Sequence, residues 1–286
     1  MLGLTWSRTG TDDAGGHGEG TRRPDLLFLH GWGLAPGAYR QPLQRLRQLG
    51  CTIAAPSLPG FGGCPPLSRS DCSFAGYARW AAGYVERWAR AGPVTVVGHS
   101  FGGGIAVQLA YDRPDLVRSL VLCNAVGGPA VIGPSGPRPM AERPLWEWGR
   151  HFGVDLLAPG SAVRVLPPVL EAAVGNLVQH PLSVWRVGDF VRRADLVAQL
   201  GEVARRGTPV TVVWSDRDRI APRAGFAALA DAAGADAAGA DGETVPGPHN
   251  WLLADAERFA DVVWRALAAA GVLDEAIGLP HPGRDI

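Results

Sequence analysis

The chain has 286 residues, 47% hydrophobic and 19% charged, which supplies a sizeable core and excludes a chain disordered throughout. Its 27 Lys+Arg balance 27 Asp+Glu, so no net field draws it to polyanions and nucleic acid is not an expected partner. Every basic residue other than histidine is arginine, which excludes a lysine Schiff base, a Ser–Lys dyad and a lysine-dependent phosphate loop.

Leu2–Ser7 predicts a first strand, followed by an extended turn over Thr9–Arg23. Leu26–His30 reads as a buried strand, and Tyr39–Leu49 as a helix with Leu43, Leu46 and Leu49 on one face. Cys51–Pro56 is a second short strand. Phe74–Arg90 carries Tyr77, Trp80, Ala81, Tyr84 and Trp88 at helical spacing. Pro93–His99 is a β-branched strand, Phe101–Tyr111 a helix of small residues ending before Pro114, and Leu116–Cys123 another strand. Strands alternating with helices imply a mostly parallel sheet covered on both faces.

The pattern breaks between Ala125 and Arg206, a proline-rich stretch with Trp146, Trp148 and Trp185. It holds helical fragments at Val163–Val178 and Asp189–Arg205 and no evident strand. This predicts an all-helical insertion at 125–206 in a core made of 1–124 and 207–286. Alternation resumes with a strand at Pro209–Asp216, a helix near Arg223–Ala233, a weak strand around Glu243–Pro246 and a helix at Ala254–Ala270. Gly234–Gly242 repeats AGAD and reads as a low-complexity loop, and the tail after Leu273 as loosely docked.

The four cysteines, Cys51, Cys64, Cys72 and Cys123, include no C-x-x-C pair, so no metal site is expected. Spacing alone would allow a Cys64–Cys72 bridge. The first residues lack a basic start followed by an apolar stretch, and no apolar run approaches the ~18 residues of a membrane span. The expectation is a cytoplasmic protein without stable membrane insertion.

The central chemical feature is GHSFG, Gly98–Gly102, between a predicted strand and helix. A nucleophile on so tight a turn needs small residues two positions to either side, and Gly98 and Gly102 supply them. Ser100 would stand at the carboxyl end of the sheet, at a helix N-terminus that favours developing negative charge. A serine hydroxyl needs a base. Of the seven histidines, His249 in GPHNW (Gly247–Trp251) precedes the last helix on that same edge. His30 and His99 end strands, where a structural hydrogen bond is the simpler role. The base needs an acid to fix its tautomer, and Trp214–Pro222 offers both Asp216 and Asp218.

Over almost its whole length the chain resembles the α/β-hydrolase superfamily. HGWG (His30–Gly33) resembles its oxyanion-loop motif, LPGFGG (Leu58–Gly63) its glycine-rich loop, and GHSFGG (Gly98–Gly103) its nucleophile elbow. The DRIAP and GPHNW segments resemble its acid and histidine loops. The resemblance implies the α/β-hydrolase fold with a helical cap at 125–206, and a Ser100–Asp218–His249 triad. Asp218 is selected because the family's acid stands four residues before the proline, here Pro222. It also implies an oxyanion hole of the Trp32 and Phe101 backbone N–H groups, and no cofactor. Trp32, Phe101, Trp146, Trp148, Phe152 and Trp185 are then candidates to line a pocket for a small-molecule acyl ester. Arg192 and Arg193 read as a solvated helix face, with contact to an acidic substrate group as the other option.

The expected reaction is hydrolysis of a carboxylic ester or thioester through an acyl-enzyme. HGWGL is also reminiscent of a bacterial esterase acting on methyl esters of acyl-carrier-protein-bound acids. The same triad serves carbon–carbon bond hydrolases and cofactor-free perhydrolases, and some members of the fold only bind.

Overall fold

The computed structural model describes residues 25–88, 92–128, 130–133, 136–139, 150, 162–221, 223–234 and 242–273. The strands are β1 (Asp25–Leu29), β2 (Thr52–Ala54), β3 (Val94–His99), β4 (Val117–Cys123), β5 (Ala130–Gly133), β6 (Gly136–Pro139), β7 (Val210–Ser215) and β8 (Gly242–Val245). Six of them form one sheet in the order β2-β1-β3-β4-β7-β8, every neighbouring pair parallel. β3 is buried along its whole length, as a central strand covered on both faces must be. One register line runs Leu27, Val96, Leu120, Val210 across four strands.

The helices are α1 (Arg40–Gln48), α2 (Phe74–Trp88), α3 (Phe101–Asp112), α4 (Ala162–Gln179), α5 (Pro181–Val191), α6 (Val197–Arg205), α7 (Arg223–Ala232), α8 (Trp251–Ala254) and α9 (Ala256–Ala269). Side chains alternate across the strands, so the sheet feeds two cores. Leu27, Leu29, Val96, Leu120 and Val212 pack with α2, α3 and α6, while Leu26, Phe28, Val97, Val121 and Val213 pack with α1 and α9. The core strands and helices predicted from Leu26 onward are therefore present. The helix expected at Ala254–Ala270 is α9, which starts where the Asp255 carboxylate accepts from the Arg258 N–H (3.0 Å) and caps it, and the short α8 precedes it.

The stretch 125–206 departs from its expected form in two ways. β5 and β6 make a small antiparallel pair where no strand was evident, because their prolines and flanking glycines give no strand pattern. The fragment expected at Asp189–Arg205 is two helices. Between them the Leu196 N–H bonds Gly127 O (2.8 Å) and Asp195 accepts from the Val197 N–H (3.4 Å), which stops one helix and starts the next. Leu200 and Val203 of α6 belong to the same core as α3.

The expected strand at Leu2–Ser7, the turn at Thr9–Arg23, the tail after Leu273, and Trp146, Trp148 and Phe152 lie outside the described residues. So does most of the Gly234–Gly242 loop. All four cysteines are free thiols, so Cys64 and Cys72 are not bridged. Among the described residues no helix is long and apolar enough to cross a membrane.

Candidate active site

Ser100 occupies the step from β3 into α3 at φ 55° and ψ −115°, a conformation an L-residue adopts only when its surroundings impose it. The surroundings here are hydrogen bonds and two glycines. The Ser100 N–H donates to Cys123 O (3.0 Å), and Ser100 O accepts from Gly103 (3.0 Å) and Val126 (3.2 Å). A Cβ on Gly98 would lie 2.6 Å from Gly102 O, and one on Gly102 would collide with Leu29 O. The turn thus closes only with glycine at both positions. Phe101 opens α3, where the first amides of a helix have no intrahelical acceptor.

His249 follows β8 and is 3% exposed. Its Nδ1 lies 2.7 Å from Asp218 Oδ2. Asp218 accepts three further bonds: from the Asn124 side-chain amide on Oδ2 (2.5 Å), and from the Ile220 (2.7 Å) and Ala221 (2.8 Å) N–H groups on Oδ1. With its oxygens occupied as acceptors, Asp218 takes the Nδ1–H of His249 and so leaves the lone pair of that ring on Nε2. Asp216 does something else. It is half exposed and accepts from the Gly247 N–H (2.9 Å), closing the loop that carries His249. Ser100 and His249 are not hydrogen-bonded to each other in this structure, a contact that is commonly loose before substrate binds.

Asn124 gave no signal in the sequence beyond its place after a strand. It adopts φ 47°, is buried, and joins four segments. Its amide reaches Asp218 and Ser215 Oγ (2.8 Å), its carbonyl accepts from the Trp251 indole (2.8 Å), and Ser215 in turn donates to Pro248 O (2.9 Å).

The two strand-end histidines make buried hydrogen bonds, as their positions suggested. His30 Nε2 accepts from the Leu58 N–H (3.0 Å), so its proton sits on Nδ1 and goes to Gly31 O (2.9 Å). Burial lowers its pKa to about 4, so the ring is neutral. In a trans peptide the carbonyl and the following N–H point opposite ways. By holding Gly31 O, His30 therefore sets the direction of the Trp32 N–H. The Trp32 indole donates to Val184 O of α5 (2.9 Å).

The other expected pocket residues fall differently. The Phe101 ring is wholly buried among Phe61, Phe74, Tyr77 and Phe190. As a core ring it can offer a substrate only its backbone amide. Trp185 is 61% exposed, while Ser183 and Val187, two residues to either side, are buried. Arg192 and Arg193 both pair with Asp189 (2.7 and 2.6 Å), as a solvated helix face would. Among the described residues no group of three or more His, Cys, Asp and Glu is set to hold a metal ion.

Residues 26–262 match the model of the Alpha/beta hydrolase family. The chain is 28% identical over 237 residues to a pimeloyl-[acyl-carrier protein] methyl ester esterase of Aromatoleum aromaticum, covering 73% of this chain and 85% of that protein. It is 32% identical over 215 residues to human protein ABHD8, covering 69% of this chain and 45% of ABHD8. Among solved structures, a thermophilic esterase from Thermogutta terrifontis superposes with a TM-score of 0.63 at 22% identity, covering 88% of this chain and 91% of that one.

Proposed function

This chain belongs to the alpha/beta hydrolase family, and from its site we infer a serine hydrolase that cleaves a carboxylic ester, or a thioester, through an acyl-enzyme on Ser100. The observation that carries the reading is the fourfold-bonded, buried Asp218 gripping His249 Nδ1, on the same sheet edge as a serine held at φ 55°. Ser100 Oγ attacks the carbonyl carbon while His249 Nε2 takes its proton. The backbone N–H groups of Trp32 and Phe101 receive the oxyanion, each contributing about 3 kcal/mol to the transition state. The tetrahedral intermediate collapses, His249 protonates the leaving alcohol or thiol, and water repeats the sequence against the acyl group. The substrate is a small-molecule acyl ester, and the residues named complete the cycle without a cofactor. The similarity to a methyl ester esterase supports an ester over an amide.

A fluorophosphonate probe tests this directly. Wild type should label stoichiometrically and Ser100→Ala not at all, with turnover of p-nitrophenyl esters reduced at least ~10⁴-fold. A folded wild type that does not label would defeat the reading. Labelling combined with peroxide-dependent halogenation and no ester turnover would transfer the site to perhydrolysis.

A further inference from the structure

Between the three loops of the site lies a second buried polar chain that the mechanism above does not use. Tyr39, at the mouth of α1, is wholly buried. Its hydroxyl oxygen accepts from the Gly31 N–H (3.0 Å) and lies 2.7 Å from His99 Nδ1. His99 Nε2 lies 3.0 Å from the backbone carbonyl of His249. A carbonyl only accepts, so the proton of a neutral His99 sits on Nε2 and Nδ1 accepts the Tyr39 O–H. Burial, followed by the neighbouring His249, disfavours the charged form of His99, which agrees with this assignment. The donor order is then fixed from end to end: Gly31 N–H to Tyr39, Tyr39 O–H to His99, His99 Nε2–H to His249 O.

The ends of this chain matter. Gly31 immediately precedes the oxyanion donor Trp32, His99 immediately precedes Ser100, and the last acceptor is the backbone of the base itself. The approach is close as well: a Cβ on Gly31 would lie 3.1 Å from His99 Nδ1 and 3.2 Å from the Tyr39 oxygen. The His99 and His249 rings stand 5.0 Å apart, so a shift of one is felt by the other.

We propose that Tyr39 and His99 are positioning residues that set the spacing of the oxyanion amide, the nucleophile and the imidazole. The inference rests on the serine-hydrolase reading. Neither side chain touches the reacting atoms; both act through the loops they tie.

The test uses Tyr39→Phe, which removes one oxygen, and His99→Gln, which keeps an N–H near the Nε2 position and removes the Nδ1 acceptor. Rates are counted per fluorophosphonate-labelled site on p-nitrophenyl butyrate, alongside Tm and the affinity for a phenylboronate, which adds to the serine as a tetrahedral anion. Each variant should lose at least ten-fold in kcat with KM within two-fold. Boronate affinity should weaken by the same factor as kcat/KM, and the double variant should lose no more than the worse single variant. If kcat and boronate affinity per labelled site stay within two-fold of wild type in both variants while Tm falls, the pair serves the fold alone and the proposal is overturned. Absence of labelling in wild type overturns the hydrolase reading itself, and the two failures are thereby distinct.

Discussion

Along the carboxyl edge of the sheet, placement is done by saturated polar contacts. Asp218 takes four donors, Asn124 bonds three partners, and His30 and His99 each use both ring nitrogens. The helices α4 and α5 differ. They turn Leu170, Val174, Leu177, Val178, Leu182 and Trp185 to the outside, with Val178 75% exposed. Two polar pins tie them to the loops of the site. The buried Asn176 donates to Gly33 O (3.0 Å) and Leu34 O (3.2 Å) and accepts from the Gly62 N–H (2.7 Å), and Val184 O receives the Trp32 indole. Hydrogen bonds are directional and expensive to leave unmade when buried, whereas apolar contact is tolerant of position. The edge is therefore built to hold geometry, and α4 and α5 are coupled to it at the loop of Trp32 to Leu34 and at the glycine-rich loop.

The contrast is tested hardest at Asp218. Asp218→Asn keeps the shape but gives His249 Nδ1 an amide in place of a charge, and turnover should fall by ~10⁴-fold, as in other triads. Asp216→Asn should change it less than about five-fold, since the Asp216 carboxylate meets the Gly247 N–H and its neighbour Arg217 rather than His249. Steady-state rates on a p-nitrophenyl ester decide the matter, and the reverse order would remove Asp218 from its role.

A second test asks whether the edge carries stability as well as chemistry. His30 is neutral when folded down to about pH 4, while unfolded it titrates near its ordinary 6.5. Below pH 6.5 the unfolded chain binds the extra proton, so stability falls as pH falls, and the loss from this ring levels off near pH 4. His99 is shifted in the same direction. Between pH 7 and pH 5 the His30 contribution alone is about 2 kcal/mol, above the range where ordinary carboxylates titrate. Urea midpoints should fall accordingly; midpoints independent of pH in this range would mean that these rings are not held neutral.

How far the sequence discloses this edge varies residue by residue. β3 and β7 declare themselves as runs rich in β-branched residues, and Ser100 and His249 by the residues around them. Asp216 and Asp218 are chemically identical on one loop; only the path of the chain separates them, and the residues alone leave both open. Asn124 and Tyr39 escape because their partners are remote: Asn124 meets Asp218 94 residues away, and Tyr39 meets His99 60 residues away. No local pattern encodes such pairings. The break between α5 and α6 is written only in Asp195, whose cap works because Leu196 is drawn back to Gly127. Trp185 misleads in another way. An aromatic in this stretch invites a pocket role, yet at 100° per residue it lies far around the helix from the buried Ser183 and Val187.

The smallest effects sharpen the contrast within α4 and α5 themselves. Asn176→Ala removes three hydrogen bonds on two loops at once, those with the Gly62 N–H and the Gly33 and Leu34 carbonyls, and should cost about 2 kcal/mol. Because those loops flank the proposed oxyanion turn, it should also lower kcat on every ester alike, rather than altering the preference for acyl chain length. Trp185→Ala removes a far larger side chain from an exposed position and should change stability by no more than about 0.5 kcal/mol. Size and energetic weight are then inverted, because an exposed indole gains little from folding while the buried Asn176 amide makes three hydrogen bonds that its removal loses together. Denaturation of the two variants side by side, with turnover on a graded series of p-nitrophenyl esters, measures both terms. A Trp185→Ala loss larger than that of Asn176→Ala would mean that the outer face of α5 is covered in solution, and that the helices are held by apolar contact after all.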